Sequence, residues 1–283
     1  MCNSRAKFAY RYATVLLLAL LLAHTPASSQ NAIPEVRSAS SPKPEGDNPV
    51  EAEENRSPEE VEDRKFYYAY ERIHELFSCS PEIIGRYESE VIAPVEKSIY
   101  KIPKNKILFL TNQAIARCYL GRDYGQAEAR YKKSMEYLIV WPGADDSFYP
   151  HNFWQIAVMQ MQQQHWKDAE DSLNQSVSIF ELQISRTPSS ANESGQSRHF
   201  WSLVESKAQS ISTLAVAYLR EGRVTDALKT ADLAYAEITR PHALVARTSM
   251  LGVLKRGTLI AQESGDEVSI AKWSQRSQGW DIN

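Results

Sequence analysis

The apolar side chains of residues 211–241 follow the period of an α-helix, with one interruption. Residues 221–223 form a polar break, and Gly222 can adopt the left-handed conformation that ends a helix. A second helix is predicted from there to Pro241, with Thr225 as its N-cap. Two helices joined by so short a turn cannot bury both of their apolar stripes, so further hairpins are expected to stack on either side. The first stripe has the i, i+3, i+4, i+7 spacing and contains Ile211, Leu214, Ala215 and Tyr218.

This arrangement resembles a tetratricopeptide repeat (TPR), a hairpin of two helices, A and B. The resemblance assigns Gly222 to the turn, and it implies an all-α fold, a right-handed superhelical stack of antiparallel helix pairs (a TPR-like solenoid). The low glycine content, 11 of 283 residues, also favours helix over sheet. The packing positions that the resemblance implies are Leu214, Ala215 and Tyr218 in helix A, and Ala227, Ala231 and Ala234 in helix B.

Two more units resemble the same repeat. In the first, a helix over residues 107–120 is followed by a turn at residues 121–124 and a second helix. The second unit spans residues 152–188, and Gln164 stands where the family usually has glycine. The repeats are therefore expected to cover residues 104–240. Their matching small or aromatic positions are Ala127, Tyr131 and Ser134 in the first unit, and Ala157, Trp166 and Ala169 in the second.

The flanks of this region are predicted to be capping helices. Residues 58–103 form the N-terminal helical pair, in which Ser80 caps a helix that starts at Pro81. A break is expected at Pro94, and Pro103 is expected to end the pair. Residues 241–283 form the C-terminal cap, split at residues 264–266.

The first 29 residues have the pattern of a signal peptide. Arg5, Lys7 and Arg11 precede a short apolar run over residues 13–23, and small residues follow at positions 27–29. The run is about half the length of a membrane-spanning helix, so an uncleaved anchor is the alternative to cleavage. Export to a periplasmic or extracellular space is therefore expected.

Residues 30–57 are rich in proline, serine and acidic residues, which predicts a disordered linker.

Two cysteines, Cys79 and Cys118, lie in the predicted helical region. One interpretation is that both are small buried residues, as free cysteines often are. The other is a disulfide that ties the N-terminal helical pair to the repeats, which requires an oxidising compartment.

The sequence contains no recognisable catalytic or metal-binding motif. The six histidines do not occur at metal-ligand spacing, and the nucleophile-elbow, phosphate-loop and C-x-x-C patterns are absent. We therefore predict a non-enzymatic protein with no metal and no cofactor. The mildly acidic net charge of −3 argues against a nucleic-acid partner.

The remaining candidate for a functional site is a binding surface. The resemblance to TPR proteins implies that the A helices line a concave groove that binds a protein or peptide segment. Tyr119 and Trp154 could instead pack against a neighbouring hairpin. The alternatives to a binding scaffold are an all-α carbohydrate-active enzyme that uses paired carboxylates, and a purely architectural envelope component; oligomeric state stays open. The predicted groove residues are Asn112, Tyr119, His151, Trp154, Met161 and Arg220.

Overall fold

The computed structural model is all-helical over the residues that it describes, in which no strand occurs, so the predicted all-α class is confirmed. The helices fall into two compact units, within residues 27–144 and within residues 145–283. The predicted signal peptide and linker lie outside the described residues. The described residues are 61, 64, 66, 68–69, 72–98, 101–141, 148–187, 198–240 and 245–280.

The unit within residues 27–144 contains the predicted N-terminal pair and the first repeat-like hairpin. The first helix of that hairpin packs against its second helix and against a preceding 3₁₀ helix. The Tyr87 side chain is fully buried, and its hydroxyl donates to the carbonyl oxygen of Ala69 over 2.6 Å. The elements are the 3₁₀ helix Arg72–Ser78, α1 (Pro81–Tyr87), a π-helical turn (Glu88–Ile92), α2 (Ala93–Glu96), α3 (Lys101–Tyr119) and α4 (Tyr124–Ile139).

Prolines account for two errors in this unit. The cap at Ser80 is confirmed, because its hydroxyl accepts from the backbone N–H of Ile83 over 3.2 Å. The break at Pro94 is wrong, because Pro94 lies inside α2 and the π-helical turn carries the helix up to it. Pro103 does not end the pair either. It lies in the first turn of α3, where a missing backbone N–H costs no helical hydrogen bond.

A disulfide joins Cys79 to Cys118, whose Cα atoms are 4.9 Å apart. Cys79 follows the 3₁₀ helix and Cys118 lies in the last turn of α3. The interpretation of two free buried thiols is therefore wrong, and the disulfide alternative holds. The bond attaches the N-terminal helices to the first hairpin.

The described part of the unit within residues 145–283 is a stack of three helical hairpins. The first helix of the middle hairpin contacts the second helix of the hairpin before it, and the first helix of the last hairpin contacts both helices of the middle one. Each hairpin therefore buries its apolar stripes against its neighbours, as the pattern predicted. The hairpins are α5 (Phe148–Gln162) with α6 (Trp166–Arg186), α7 (Arg198–Arg220) with α8 (Val224–Ile238), and α9 (Arg247–Ser264) with α10 (Glu267–Arg276).

One residue in each of these three hairpin turns has a positive φ. The values are 64° at Gln164, 79° at Gly222 and 68° at Gly265. The turns at Gly222 and at residues 264–266 are thus confirmed, and Gln164 adopts the conformation usually taken by glycine.

The predicted cap of the second helix of the middle hairpin is wrong. Helix α8 begins at Val224, and its N-cap residue is Arg223, whose side chain makes no capping hydrogen bond. Thr225 therefore lies one residue inside the helix. The Arg223 guanidinium instead pairs with Glu221 and Asp226, over 3.1 and 3.0 Å.

Small side chains let the helices of this unit approach closely. Five of the alanines that the pattern selected are at most 1% exposed and lie in one apolar cluster that includes Trp273. This arrangement matches the role that the resemblance assigned to them. These residues are Ala157, Ala169, Ala215, Ala227 and Ala231.

Candidate protein-binding surface

The first helices of the three stacked hairpins adjoin one another, because α7 contacts both α5 and α9. We call the surface that α5, α7 and α9 form the A-helix face. It lies wholly within the unit of residues 145–283. Four of the six predicted groove residues, His151, Trp154, Met161 and Arg220, lie on these helices.

Two aromatic side chains of α5 are held by polar groups of α7. The indole N–H of Trp154 donates to the Thr213 hydroxyl over 3.1 Å, and Nε2 of His151 is 3.2 Å from the Ser206 hydroxyl. Both side chains are half-buried. The His151 ring also meets Phe180 edge-on, with centroids 5.3 Å apart. The structure thus fixes the orientation of both rings while leaving part of each at the surface.

Arg220 connects α7 to α9. Its guanidinium forms two hydrogen bonds with the carboxylate of Glu263, of 2.6 and 3.1 Å. This bidentate geometry holds the arginine in one orientation. At the other end of α7, Glu205 accepts from the backbone N–H of Ala246 and from the Ser249 hydroxyl, over 2.7 and 2.9 Å.

Between these two contacts lies Arg256 of α9, which is 5% exposed. Its Nε donates to the Ser212 hydroxyl over 2.7 Å, and its Nη2 donates to the side-chain oxygen of Gln209. Burial lowers the pKa of Arg256 to about 10. The guanidinium therefore remains mostly protonated at neutral pH.

Met161 is not available at the surface. It is 1% exposed and lies in the apolar core with Leu173 and Leu214. The side of α5 that carries Met161 is covered by the neighbouring helices, so it contributes to stability rather than to contact with a ligand.

Asn112 and Tyr119 belong to the other unit, on α3. Asn112 is 2% exposed; its amide donates to the Leu108 carbonyl over 2.8 Å and accepts from Arg130 over 3.3 Å. Tyr119 is half-buried against the core of that unit. Asn112 is thus engaged inside its own unit, and both residues belong to a different unit from the one that carries the A-helix face.

Sequence reasoning missed three polar residues on the A-helix face, Glu205, Gln209 and Arg256. Glu205, Gln209 and Ser212 occur at i, i+4 and i+7 on α7, which is the spacing of one helical stripe. A stripe of polar residues next to the apolar one was the available signal. Arg256 gave no comparable signal, because a single arginine in a helix is normally solvent-exposed.

Carboxylates in the B helices form ion pairs. Glu170 lies 2.9 Å from Lys167 and 3.2 Å from Arg223, and Asp232 lies 2.6 Å from Arg276. Burial disfavours the charged form of Glu170, but the hydrogen bonds from Lys167 and Arg223 outweigh it and lower its pKa. The Arg223 guanidinium also lies 4.0 Å from the Tyr218 ring centroid. These carboxylates hold helices together.

Within the described ranges, no group of three or more His, Cys, Asp or Glu residues is arranged to hold a metal ion. Over the same ranges, no helix combines the length and apolar character needed to cross a bilayer.

The stacked hairpins have the fold of TPR-like helical-repeat proteins. No protein-family model matches the sequence, and no curated protein matches it significantly. Solved structures do match. A variant of a Podosopora anserina protein described as a kinesin light chain, with nearly identical TPR-like repeats, matches with a TM-score of 0.50 and 16% identity, over 76% of this chain and 91% of that one. BtubC (BKLC) from P. vanneervenii matches with a TM-score of 0.52 and 12% identity, over 78% of this chain and 94% of that one. At these identities the likeness shows the fold alone.

Proposed function

We propose that this protein is a non-enzymatic scaffold that binds a protein or peptide segment on its A-helix face. The observation that carries the proposal is the pair of half-buried rings, Trp154 and His151, each of which forms a hydrogen bond with a hydroxyl group of α7. Aromatic side chains and arginine are the residue types that dominate interface energetics. Fixing them before a ligand arrives reduces the entropic cost of binding.

The fold supports this proposal at a coarser level, since TPR-like repeats generally mediate protein interactions. The ion pairs of Glu170 and Asp232 also fit a scaffold, because carboxylates held by Lys or Arg serve to join helices. They offer no support for the carbohydrate-active alternative, which needs two facing carboxylates about 5–10 Å apart.

The test is selection of displayed random peptides on the full chain, followed by fluorescence anisotropy with the selected peptides. The combined variant Trp154→Ala, Arg220→Ala should weaken binding by a factor of at least about ten, which is the effect expected when one hot-spot contact is lost. Leu233→Ala is the matched control, because Leu233 is 60% exposed on the B helix α8. Equal affinity of the double variant and wild type would place the ligand elsewhere, and failure to select any peptide would count against the proposed function.

We further propose that the protein is exported and works in an oxidising compartment. The signal-like residues 1–29 support export, and the Cys79–Cys118 disulfide supports an oxidising environment independently. The test is thiol labelling of the protein recovered from the exporting cell, followed by mass spectrometry. Labelling of both cysteines without prior reduction, or recovery of the chain only from the cytosol, would contradict this proposal.

A further inference from the structure

Two large apolar side chains are exposed next to each other where α4 ends. Ile139 is the last residue of the helix and Val140 follows it, with exposed fractions of 66% and 56%. The other large apolar side chains that are exposed in the described ranges have no exposed apolar neighbour in the sequence. Scattered exposed apolar residues are normal, but an adjacent pair keeps a continuous apolar surface in water and so indicates a contact site.

Positive charge lies close to this pair. The Asn105 amide, near the start of α3, donates to the carbonyl oxygen of Val140 over 3.0 Å, which places residues 97–106 beside the pair. This segment contains four lysines and no acidic residue. The end of the α3–α4 hairpin therefore carries both apolar and positively charged groups.

Two carboxylates lie near these lysines. Glu136 of α4 already pairs with Lys133 over 3.0 Å. Glu96 directly precedes the lysine segment and accepts a hydrogen bond from the Tyr137 hydroxyl over 2.8 Å. The segment thus keeps a net positive charge even when Glu96 is counted against it.

The lysines of this segment differ in their contacts. Lys104 donates to the carbonyl oxygens of Glu96 and Ser98, over 2.7 and 3.2 Å, and so secures the end of α2. Lys97 and Lys106 are exposed, and neither forms an ion pair with a carboxylate in the part of the chain that the structure describes. The first turn of α3 contains no acidic residue, although the helix dipole favours one there. The charges of Lys97 and Lys106 are therefore available to a partner.

An anionic lipid bilayer fits this combination. Surfaces that bind bilayers place apolar side chains at the boundary between headgroups and acyl chains and hold lysines against the anionic headgroups. Ile139 and Val140 stand at the end of a helix, from which they can enter that boundary. A protein partner with only acidic side chains would leave the apolar pair in water.

We propose that Lys97, Lys106, Ile139 and Val140 form a surface that docks on an anionic lipid bilayer. Ile139 and Val140 enter the interfacial region, while Lys97 and Lys106 lie against the headgroup phosphates. This surface, the lysine–apolar patch, belongs to the unit of residues 27–144, whereas the A-helix face belongs to the other unit. The assignment is therefore independent of the proposed function.

The first experiment is co-sedimentation with lipid vesicles. Residues 30–283 are used, the chain that signal cleavage would leave, so that the apolar run at residues 13–23 cannot bind lipid by itself. All described residues are retained. Vesicles of equal parts phosphatidylglycerol and phosphatidylcholine should bind the protein at least about tenfold more tightly than phosphatidylcholine alone, because each lysine adds to the attraction. Added salt should reduce this preference by screening the charges.

Two variants separate the contributions of the patch. Lys97→Gln, Lys106→Gln should weaken binding to the anionic vesicles roughly tenfold by removing charge. Ile139→Ser, Val140→Ser should weaken it by a similar factor, roughly tenfold, by removing apolar contact. All four side chains are exposed, so both variants should keep the thermal midpoint of the wild type by circular dichroism.

Matched controls come from the other unit. Lys167→Gln, Lys272→Gln removes the same charge from lysines that already pair with Glu170 and Asp232. Leu233→Ser changes an apolar side chain that is 60% exposed. Both controls should bind the vesicles like the wild type. Equal losses in the controls and in the patch variants would overturn the assignment.

The second experiment tests whether the apolar pair enters the bilayer. The Cys79–Cys118 disulfide leaves no free thiol in residues 30–283, so Ile139→Cys can be labelled with the environment-sensitive fluorophore NBD. Its emission should shift to the blue and rise severalfold on anionic vesicles, and the same label on Leu233→Cys should not respond. Binding without a response of the label on Ile139→Cys would overturn the assignment.

Three further results would contradict the proposal. They are an absence of binding to the anionic vesicles, equal binding to both kinds of vesicle, and wild-type binding by both patch variants. Binding to soluble polyglutamate without binding to vesicles would identify an acidic protein partner and overturn the lipid assignment. Each of these results leaves the peptide selection on the A-helix face unaffected.

Discussion

Gly257 of α9 lies directly against the Trp273 indole of α10, and a Cβ at this position would overlap the ring. Trp273 is 1% exposed, meets the Tyr235 ring edge-on at 5.7 Å and lies under the Arg276 guanidinium at 4.6 Å. The indole is thus confined on several sides and cannot move away easily. Because Gly257 has a hydrogen atom where alanine has a methyl group, the two helices of the last hairpin can pack against each other.

We expect Gly257→Ala to lower the free energy of unfolding by about 2–4 kcal/mol, the upper range for overpacking a core. The measurement is urea denaturation followed by circular dichroism. Gly85→Ala is the control, because Gly85 lies in α1 and a Cβ there would have no neighbouring side chain within 4 Å, so alanine favours the helix by about 0.5–1 kcal/mol. Similar stability of the two variants would mean that the indole is free to shift.

Gln164 presents the opposite case, a side chain where glycine would fit better. Its φ of 64° is costly for a residue with a Cβ. We expect Gln164→Gly to raise the free energy of unfolding by about 0.5–1 kcal/mol. This is the gain that remains once the higher entropy of glycine in the unfolded chain has been subtracted. Gln162 is the last residue of α5 and has a right-handed helical backbone, so Gln162→Gly should instead lower the free energy of unfolding by about 1 kcal/mol. Destabilisation in both variants would show that the Gln164 side chain makes a compensating contact.

At the scale of elements, ion pairs join neighbouring helices in addition to apolar packing. Lys207 of α7 lies 2.9 Å from Glu237 of α8, and Glu237 also pairs with Arg240 over 2.6 Å. Burial disfavours ionisation of Glu237, but the hydrogen bonds from Lys207 and Arg240 outweigh it and lower the pKa of Glu237. The contact between α7 and α8 therefore includes an ionised carboxylate.

This contact has a defined pH dependence. A carboxylate whose folded-state pKa is depressed contributes stability above its unfolded-state pKa, about 4.3, and loses it as the pH falls through the folded-state pKa. Glu237→Gln should therefore cost about 1–2 kcal/mol at pH 7 and flatten the decline of stability below pH 5. Glu181→Gln is the control, since the Glu181 side chain is 57% exposed and its loss should cost less. Urea denaturation across this pH range checks both; identical slopes for wild type and Glu237→Gln would contradict the role.

At the scale of the whole molecule, a covalent bond adds to packing within the unit of residues 27–144. The disulfide closes a loop of 39 residues. It connects the last turn of α3 to the N-terminal helices, whose own core includes Leu76 and Tyr87. The bond therefore ties the short helices of this region covalently to α3.

We expect reduction with dithiothreitol to destabilise this unit by up to about 4 kcal/mol, the loop-entropy value for a closed loop of this length. Thermal unfolding with and without reductant measures the effect. The variant Cys79→Ser, Cys118→Ser should start at the lower stability and show no further response to reductant. A wild-type midpoint that reductant leaves unchanged would mean that the disulfide is absent or does not contribute.

Much of the fold follows from local patterns. The hairpin at residues 211–238 and the turns at Gly222 and Gly265 lie where the pattern predicts, because helical period and a glycine's tolerance of positive φ are properties of a few adjacent residues. The errors at Pro94, Pro103 and Thr225 concern predicted helix ends, because proline is tolerated in the first turn of a helix and helix boundaries are uncertain by one or two residues.

The candidate site depended on information that no local pattern contains. The sequence by itself determined that α5, α7 and α9 form and that each carries a buried stripe. Only the tertiary structure decided that Met161 is buried, that Trp154 reaches Thr213, and that Arg256 is enclosed between two helices without a counter-charge among the described residues. The physical reason is that burial and pairing depend on which neighbouring hairpin covers a side chain, and that neighbour can lie more than forty residues away in the sequence.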